Sequence, residues 1–229
     1  MINSAGEILA PPGLASFGEE LSAAVIGASG DLGGAFVEAL ERAPAVARLA
    51  VLSQEPKKPQ SPKTAWQAID LESEDSIAEA AQAVAGTGPG LTLVIVTTGM
   101  IRADDERGTA GSRREFDAAE LNRAFAVNAI GPALIAKHFL PRLARGRKTA
   151  FAAVSTRVGS TEDARLGSMH AYRASKAALN MLIRTLAMDL ARSNDEAVCV
   201  ALHPGTVTTA RHGSRKSGTA AKQPVTPTE

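Results

Sequence analysis

The sequence predicts a single α/β domain built on a doubly wound parallel sheet. Apolar segments of strand length alternate with segments of helical periodicity along most of the 229 residues. A glycine-rich turn follows the first apolar segment. Apolar residues make up 45% of the chain but aromatic residues only 3%. The apolar residues are mostly alanine, valine and leucine, whose small side chains let helices pack closely on a sheet. Alternating strands and helices favour parallel strands joined by right-handed crossovers.

The first half of the chain supplies four predicted strands and two predicted helices. The strands are expected at residues 23–26, 49–52, 65–69 and 91–96. Helical spacing of apolar residues over 32–40 predicts the first helix, directly after the glycine-rich turn. The second helix is predicted over 73–85, with acidic residues in its first turn.

The second half adds two strands and two longer helices. The strands are expected at residues 150–154 and 197–202. A helical pattern covers 115–143 with an interruption at Gly131 and Pro132, and a strongly patterned helix covers 172–191. No internal repeat and no second domain are visible.

Charge and cysteine usage exclude several classes of protein. The chain has 25 basic and 24 acidic side chains, so neither nucleic acid nor an anionic membrane is expected as a partner. Cys199 is the single cysteine and lies in an apolar run, so we expect an inert thiol.

No apolar stretch approaches the roughly 18 residues that span a bilayer, and no signal segment is visible, so the cytoplasm is expected. No metal site is expected, because ligand spacing is lacking around the four histidines, His138, His170, His203 and His212.

The glycine-rich turn runs from Gly27 to Gly34, between the first strand and the first helix. Such a turn lets backbone N–H groups and a helix N-terminus face a pyrophosphate, and its glycines let the phosphates come close. A tight packing turn is the alternative interpretation. The position directly after the first strand favours the phosphate-binding one.

Tyr172 and Lys176 lie one helical turn apart, on the same face of the predicted helix. An ammonium near a phenol favours the phenolate, so Lys176 is expected to lower the pKa of Tyr172. Such a tyrosine can donate a proton to a carbonyl oxygen or accept one from an alcohol. This spacing alone is common on solvated helices, and its combination with the glycine-rich turn makes it a candidate catalytic pair.

With these motifs the chain resembles the short-chain dehydrogenase/reductase family over most of residues 23–209, and most closely its C-factor-like branch. Gly27 and Gly33 match the outer glycines of the family's turn. Further along the chain, Asn128 matches the family's active-site asparagine, and Tyr172 and Lys176 match its catalytic pair. The resemblance implies a single Rossmann domain over residues 21–209.

Several positions depart from the family's pattern. Asp31 stands where the middle glycine of the turn is expected, and its carboxylate is expected to weaken cofactor binding. The family's Asn-Asn-Ala-Gly segment appears as Val96-Thr97-Thr98-Gly99, which retains only the glycine. The family's active-site serine lies three residues before a glycine. Counting back from Gly159 gives Thr156, and Ser155 is the alternative. Adjacent residues of an extended segment point in opposite directions, so only one of the two should face a substrate.

The resemblance implies a nicotinamide cofactor and a small carbonyl or alcohol substrate. Tyr172 would act as acid or base and Lys176 would bond the nicotinamide ribose. Thr156 or Ser155 would hold the substrate oxygen, and Asn128 would position a water in a proton relay. The residues expected to contact the cofactor are Gly27, Ser29, Gly30, Asp31, Leu32, Gly33, Ser53, Asp70, Leu71, Gly99, Tyr172, Lys176, Pro204, Gly205, Val207 and Thr209.

NADP(H) is the expected cofactor, with NAD(H) as the alternative. NAD-selective sites place an acidic residue at the end of the second strand, where it bonds the ribose 2′-hydroxyl. Here Ser53 and Gln54 occupy that place, and Lys57 and Lys58 follow. A serine and nearby ammonium groups do not repel a 2′-phosphate as a carboxylate would.

The two ends of the chain are expected to lie outside the domain. Residues 1–20 are interpreted as an N-terminal extension and 210–229 as a polar C-terminal tail with too few apolar residues for a helix and a strand. The family's last strand is therefore predicted to be missing, which would expose the edge at 197–202 and alter a homo-oligomer. Together with Asp31 and the lost asparagine pair, this keeps a second function open: a nucleotide-binding regulatory protein with little turnover.

Overall fold

The computed structural model describes residues 13–56, 59, 61–85, 88, 90–100, 117–161 and 169–205. Six parallel strands form one sheet in the order β3-β2-β1-β4-β5-β6. The strands are β1 Leu21–Ile26, β2 Val46–Ser53, β3 Thr64–Ala68, β4 Leu93–Val96, β5 Thr149–Val154 and β6 Ala197–Leu202. The predicted α/β class and parallel sheet are confirmed.

Within the described residues, five α-helices cross between the strands. They are α1 Asp31–Arg42, α2 Glu74–Ala85, α3 Ala118–Phe125, α4 Gly131–Phe139 and α5 His170–Ser193. The helix predicted over 115–143 is not continuous, because a π-helical turn, Ala126–Ile130, separates α3 from α4 and a 3-10 turn, Leu140–Arg142, follows α4. The break therefore begins before Gly131, the residue from which the sequence predicted it. Residues 115 and 116 lie outside the described residues.

The core has two layers, one on each face of the sheet. Alternate residues of β1 face opposite sides: Ala24 and Ile26 pack into one cluster, Ala23 and Val25 into the other. The larger cluster contains Phe139 and Leu179, from the helices α4 and α5. All six residues of β1 are buried. A sheet covered on both faces is the usual setting for parallel strands.

The position of β1 creates the crevice in which this fold binds ligands. β1 pairs with β2 on one side and with β4 on the other, so the chain reverses its direction of winding there. In open α/β sheets the space beyond the carboxyl ends of such strands is left uncovered by the crossovers. The glycine-rich turn follows β1 directly and therefore lies at this crevice.

The structure describes part of the predicted N-terminal extension but none of the predicted C-terminal tail. Residues 13–20 belong to the predicted extension, yet Leu14 and Phe17 pack against the smaller core cluster. The Arg147 guanidinium donates to the Phe17 carbonyl at 2.8 Å. The predicted tail and the segment where a seventh strand would follow lie outside the described residues.

β6 pairs with β5 and, within the described residues, with no other strand. Its side chains Val198 and Leu202 are 48% and 42% exposed. Cys199 is buried, which raises the pKa of its thiol to about 11, so the thiol is inert as expected. The described residues hold no His, Cys, Asp and Glu group arranged to bind a metal, and none of their helices is long and apolar enough to cross a membrane.

Candidate active site

The turn between β1 and α1 requires glycine at two positions. Gly27 has φ +90°, a left-handed conformation that side chains rarely adopt, and a Cβ there would lie 2.8 Å from the Thr97 hydroxyl oxygen. A Cβ on Gly33 would lie 2.4 Å from the Gly27 carbonyl oxygen. Gly30 caps α1, and its N–H donates to the Gly27 carbonyl at 3.1 Å. The turn therefore presents the N-terminus of α1 to the crevice, as a phosphate-binding turn does.

A cleft opens beside this turn. Six of the residues predicted to bind a cofactor line it: Gly27, Ser29, Gly30, Ser53, Leu71 and Gly99. Gln54, Thr97 and Thr98, which the sequence motifs marked without predicting cofactor contact, also line it. The sequence interpretation missed the lining residues Ile26, Ile69, Glu72, Met100, Arg123 and Val127. No local motif marks these residues, because they come from separate elements that meet only in the folded chain.

Other predicted cofactor residues do not line the described cleft. Asp31 and Leu32 begin α1, where a carboxylate stabilises the helix through its dipole. Asp70 accepts a hydrogen bond from the Glu72 N–H at 3.0 Å, so its carboxylate closes a local turn. Pro204 and Gly205 follow β6 at the same edge of the sheet. Val207 and Thr209, like Lys57 and Lys58, lie outside the described residues.

Lys176 is buried at the carboxyl end of the sheet. It is 3% exposed, and its Nζ donates to the Val154 carbonyl, at the end of β5, at 2.9 Å. The Lys176 Nζ also lies close to Gly99, where a Cβ would be 3.3 Å away. Burial lowers the pKa of Lys176 to about 8. A buried ammonium with a carbonyl as its partner has further N–H donors to offer a ligand.

Tyr172 lies one turn before Lys176 on α5, as predicted, but its pKa moves in the opposite direction. Burial raises the pKa of the Tyr172 phenol, and a hydrogen bond with the Thr156 side chain opposes that rise. The expectation that Lys176 lowers the Tyr172 pKa is therefore wrong for the described residues. The physical reason is that desolvation outweighs the neighbouring groups, while the Lys176 ammonium is directed at the Val154 carbonyl.

The structure separates the two candidate hydroxyls after β5. The Thr156 side chain lies beside the Tyr172 phenol and acts to lower its pKa. Ser155 is buried, and its hydroxyl donates to Asn180 Oδ1 on α5 at 2.6 Å. The two side chains point to different neighbours, as alternation along an extended segment predicts. Of the two, only Thr156 lies next to the Tyr172 phenol.

Gly159 brings the segment after β5 against the helix that carries Tyr172. Thr156 caps the 3-10 turn Arg157–Gly159 by accepting from the Val158 N–H at 3.4 Å. A Cβ on Gly159 would lie 2.9 Å from the Lys176 Cβ, so only glycine permits this approach. The spacing of Thr156 and Gly159 therefore reflects packing: the glycine lets the turn sit on α5 and places the threonine beside Tyr172.

Asn128 lies in the π-helical turn and is fully buried. Its Oδ1 accepts from the Met100 N–H at 2.8 Å, and its Nδ2 donates to the Met100 carbonyl at 2.9 Å and to the Ser175 hydroxyl at 3.0 Å. Asn128 thus ties the segment after β4 to α5. π-helical turns are frequent at functional sites, and this one turns Asn128 inward between the two elements that carry Gly99 and Tyr172.

The buried Lys176 ammonium makes stability depend on pH. Because its pKa falls from 10.5 to about 8 on folding, the folded chain releases this proton first as pH rises, and the group adds stability with increasing pH across that window. Between roughly pH 7 and pH 9 the gain is about 1.4 kcal/mol. Lys176→Met removes the titrating group and with it this gain in stability. The difference in unfolding free energy, wild type minus variant, should therefore rise by about that amount between the two pH values in urea titrations. A constant difference would contradict the described desolvation of Lys176.

The arrangement combines a phenol, a neighbouring hydroxyl and a buried ammonium at the carboxyl edge of the sheet. An oxygen held by Thr156 would lie within reach of the Tyr172 proton, because the two side chains are neighbours. Neither side chain can donate or accept a hydride. A bound redox cofactor in the adjoining cleft would have to supply it.

Comparison with known proteins finds a matching family and several relatives. The short chain dehydrogenase family matches this chain over residues 22–220. C-signal of Myxococcus xanthus is 41% identical over 95 residues, 42% of this chain and 56% of that protein. A 1-hydroxy-2-glutathionyl-2-methyl-3-butene dehydrogenase of Rhodococcus sp. (strain AD45) is 33% identical over 141 residues, 62% of this chain and 58% of that protein. The chain thus covers less than two thirds of the length of these relatives.

Solved structures share the fold over a larger part of the chain. NADPH-bound carbonyl reductase from chicken fatty liver has a TM-score of 0.79 and 28% identity, over 96% of this chain and 88% of that chain. Carbonyl reductase Sniffer of D. melanogaster has a TM-score of 0.70 and 24% identity, over 84% of each chain. The second likeness is one of fold alone.

Proposed function

Because the chain belongs to the short-chain dehydrogenase family, as its motifs predicted, we propose that it is an NAD(P)-dependent oxidoreductase that interconverts a carbonyl and a secondary alcohol. The observation that carries the proposal is the placement of the Thr156 side chain beside the Tyr172 phenol, with the buried Lys176 one helical turn further along α5. These groups lie at the carboxyl edge of the sheet, next to the cleft that follows the glycine-rich turn. The name of the chicken carbonyl reductase supports the same class of reaction.

The described cleft fits a dinucleotide. Gly27 and Gly33 keep side chains out of the turn where phosphates would approach. Lys176 has ammonium donors left for ribose hydroxyls, since it donates to the Val154 carbonyl and no carboxylate of the described residues pairs with it. Gly99 keeps the space next to the Lys176 Nζ open. When bound, the nicotinamide would supply or accept the hydride.

In the proposed mechanism the protein's residues hold the substrate oxygen and move a proton. The Thr156 hydroxyl donates a hydrogen bond to that oxygen and keeps it within reach of the Tyr172 phenol. During reduction Tyr172 transfers its proton to the oxygen, which becomes the alcohol hydroxyl. During oxidation the same proton returns to Tyr172. The Lys176 ammonium, which donates to the Val154 carbonyl, would bond the nicotinamide ribose through its remaining N–H groups.

Asn128 acts in this proposal by positioning its neighbours. Its amide fixes Met100 relative to Ser175, and the Ser175 hydroxyl in turn donates to the Tyr172 carbonyl at 2.8 Å. One Oδ1 lone pair of Asn128 is left for a water. We retain the proposed water relay on that basis.

The proposed cofactor preference is for NADP(H). Ser53, at the end of β2, donates to the Glu55 carbonyl at 2.8 Å, and neither it nor the neighbouring Gln54 carries a negative charge. Arg123 adds a cation to the described lining of the cleft. The chicken carbonyl reductase structure holds NADPH.

Gln54→Glu tests the preference, because it changes charge and not size. Wild type should bind NADPH at least about tenfold more tightly than NADH, a difference of about 1.4 kcal/mol. The variant should lose most of that difference, since its carboxylate repels the 2′-phosphate and can accept from a 2′-hydroxyl. Isothermal titration calorimetry with both nucleotides measures this. Equal or tighter binding of NADH by the wild type would overturn the preference.

A nucleotide-binding regulatory protein is the second candidate function. Two observations favour it: Asp31 begins α1 at the phosphate-facing turn, and the family's asparagine pair after β4 is absent. Titration with NADPH, followed by a turnover screen over aldehydes, ketones and quinones, separates the two functions. Nucleotide binding with no turnover on any compound would favour the regulatory function. Cytoplasmic location and self-association remain predictions.

A further inference from the structure

Thr97 connects β4 to the glycine-rich turn. It directly follows β4, and its backbone N–H donates to the Ile26 carbonyl at 2.8 Å, which extends the pairing of β1 with β4. Its side-chain hydroxyl lies between two carbonyl oxygens, 2.9 Å from that of Ile26 and 3.1 Å from that of Gly27. The hydroxyl therefore spans the point at which the strand ends and the turn begins.

The two required glycines surround this hydroxyl. A Cβ on Gly27 would lie 2.8 Å from the Thr97 Oγ1, and a Cβ on Gly33 would lie 2.7 Å from the same atom. Both distances are too short for a real Cβ, so the hydroxyl occupies space that any larger residue at either position would need. Thr97 and the two glycines form a matched set in which the hydroxyl fills the space that the missing side chains leave.

The Gly27 carbonyl is the shared acceptor within the turn. It also accepts from the Gly30 N–H at 3.1 Å, the bond that closes the turn ahead of α1. The single Thr97 hydroxyl hydrogen is shared between the Ile26 and Gly27 carbonyls. Together with the Gly30 N–H, this shared hydrogen bond restrains the direction of the Gly27 peptide group, on which the shape of the turn depends.

We propose that Thr97 is a positioning residue that locks the phosphate-facing turn through its hydroxyl, in a segment that lacks the family's asparagine pair. The proposal rests on the proposed function only in one respect, namely that the turn binds the phosphates of a nucleotide. The role of the Thr97 hydroxyl in holding the turn depends only on contacts within the chain. It explains how the segment Val96-Thr97-Thr98-Gly99 supports an ordered turn in spite of its departure from the family's pattern.

The test compares Thr97→Ala with Thr97→Ser, which differ by the hydroxyl alone. The first readout, taken without nucleotide, is hydrogen exchange at the backbone amides of residues 27–34. We expect about tenfold faster exchange in Thr97→Ala, as for loss of one hydrogen bond, and near wild-type exchange in Thr97→Ser. Thr185→Ala is the matched control, because it also removes a hydroxyl that donates to a backbone carbonyl, that of Met181 at 2.6 Å on the exposed side of α5, outside the cleft. It should leave exchange in the turn unchanged.

The second readout is the dissociation constant for NADPH. Thr97→Ala should bind about tenfold more weakly than wild type, and Thr97→Ser should restore the affinity. Equal exchange in the Ala and Ser variants, whether fast or slow, would overturn the lock. If the wild type bound no nucleotide, the proposed function would fail, but the exchange comparison would still decide the role of Thr97.

Discussion

Tyr172→Phe is expected to reduce turnover by about 10²–10⁴ while leaving the fold and most of the NADPH affinity intact. The substitution removes one hydroxyl and keeps the ring. The lost hydroxyl is the group that would exchange a proton with the substrate oxygen, and the Thr156 side chain lies beside it. Steady-state rates with a confirmed carbonyl substrate measure the loss, and calorimetry measures the retained affinity.

Tyr172 is the single tyrosine of the chain, which provides a direct control. The ultraviolet absorbance of tyrosinate reports on this residue alone, and its midpoint should lie above the ordinary value of 10.0 because burial raises the pKa. The signal should be absent from the variant. Near wild-type turnover by Tyr172→Phe would show that another group moves the proton.

Thr156→Val is expected to lower kcat by roughly 10², as for loss of a donor that holds a reacting oxygen. Thr156→Ser should retain most of the rate, since it keeps the hydroxyl. Ser155→Ala is the matched control: its hydroxyl bonds Asn180 at 2.6 Å, so the change should cost about 1–2 kcal/mol of stability and leave kcat nearly unchanged. Parallel kinetics and urea unfolding of the three variants separate the two effects.

The reverse pattern would contradict the assignment. If Ser155→Ala lost turnover and Thr156→Val kept it, the substrate would bind on the other side of the segment after β5. A loss of rate in both variants with equal losses of stability would point to general disruption of that segment.

The order and type of the elements could be predicted because short-range patterns determine them. The apolar runs that form β1, β4 and β5 lie between glycine-rich or polar segments. The interruption of the helix expected over 115–143 was predicted at Gly131 and begins earlier, at Ala126, because a π-helical turn keeps the apolar spacing of a helix nearly unchanged. Its signature is the inward rotation of Asn128, which becomes evident only from the partners Met100 and Ser175.

Part of the geometry of the candidate site could be predicted, but not its electrostatics. Helical spacing placed Tyr172 and Lys176 on one face of α5, at the carboxyl edge of the sheet. The direction of the Tyr172 pKa shift depends on burial by segments distant in sequence. The spacing of residues along one helix carries no information about that burial. The choice between Ser155 and Thr156 likewise depends on Gly159, whose contact with Lys176 sets the orientation of the turn.

Deuterium transfer tests the central claim most directly. Wild-type protein is incubated with NADPH that carries deuterium at both nicotinamide C4 positions, together with a panel of aldehydes and ketones, and the alcohol products are analysed by mass spectrometry. The account predicts deuterium on the carbinol carbon of at least one product with wild type, and loss of that product with Tyr172→Phe. Binding of NADPH by wild type with no deuterated alcohol from any member of the panel would contradict it and favour the regulatory function.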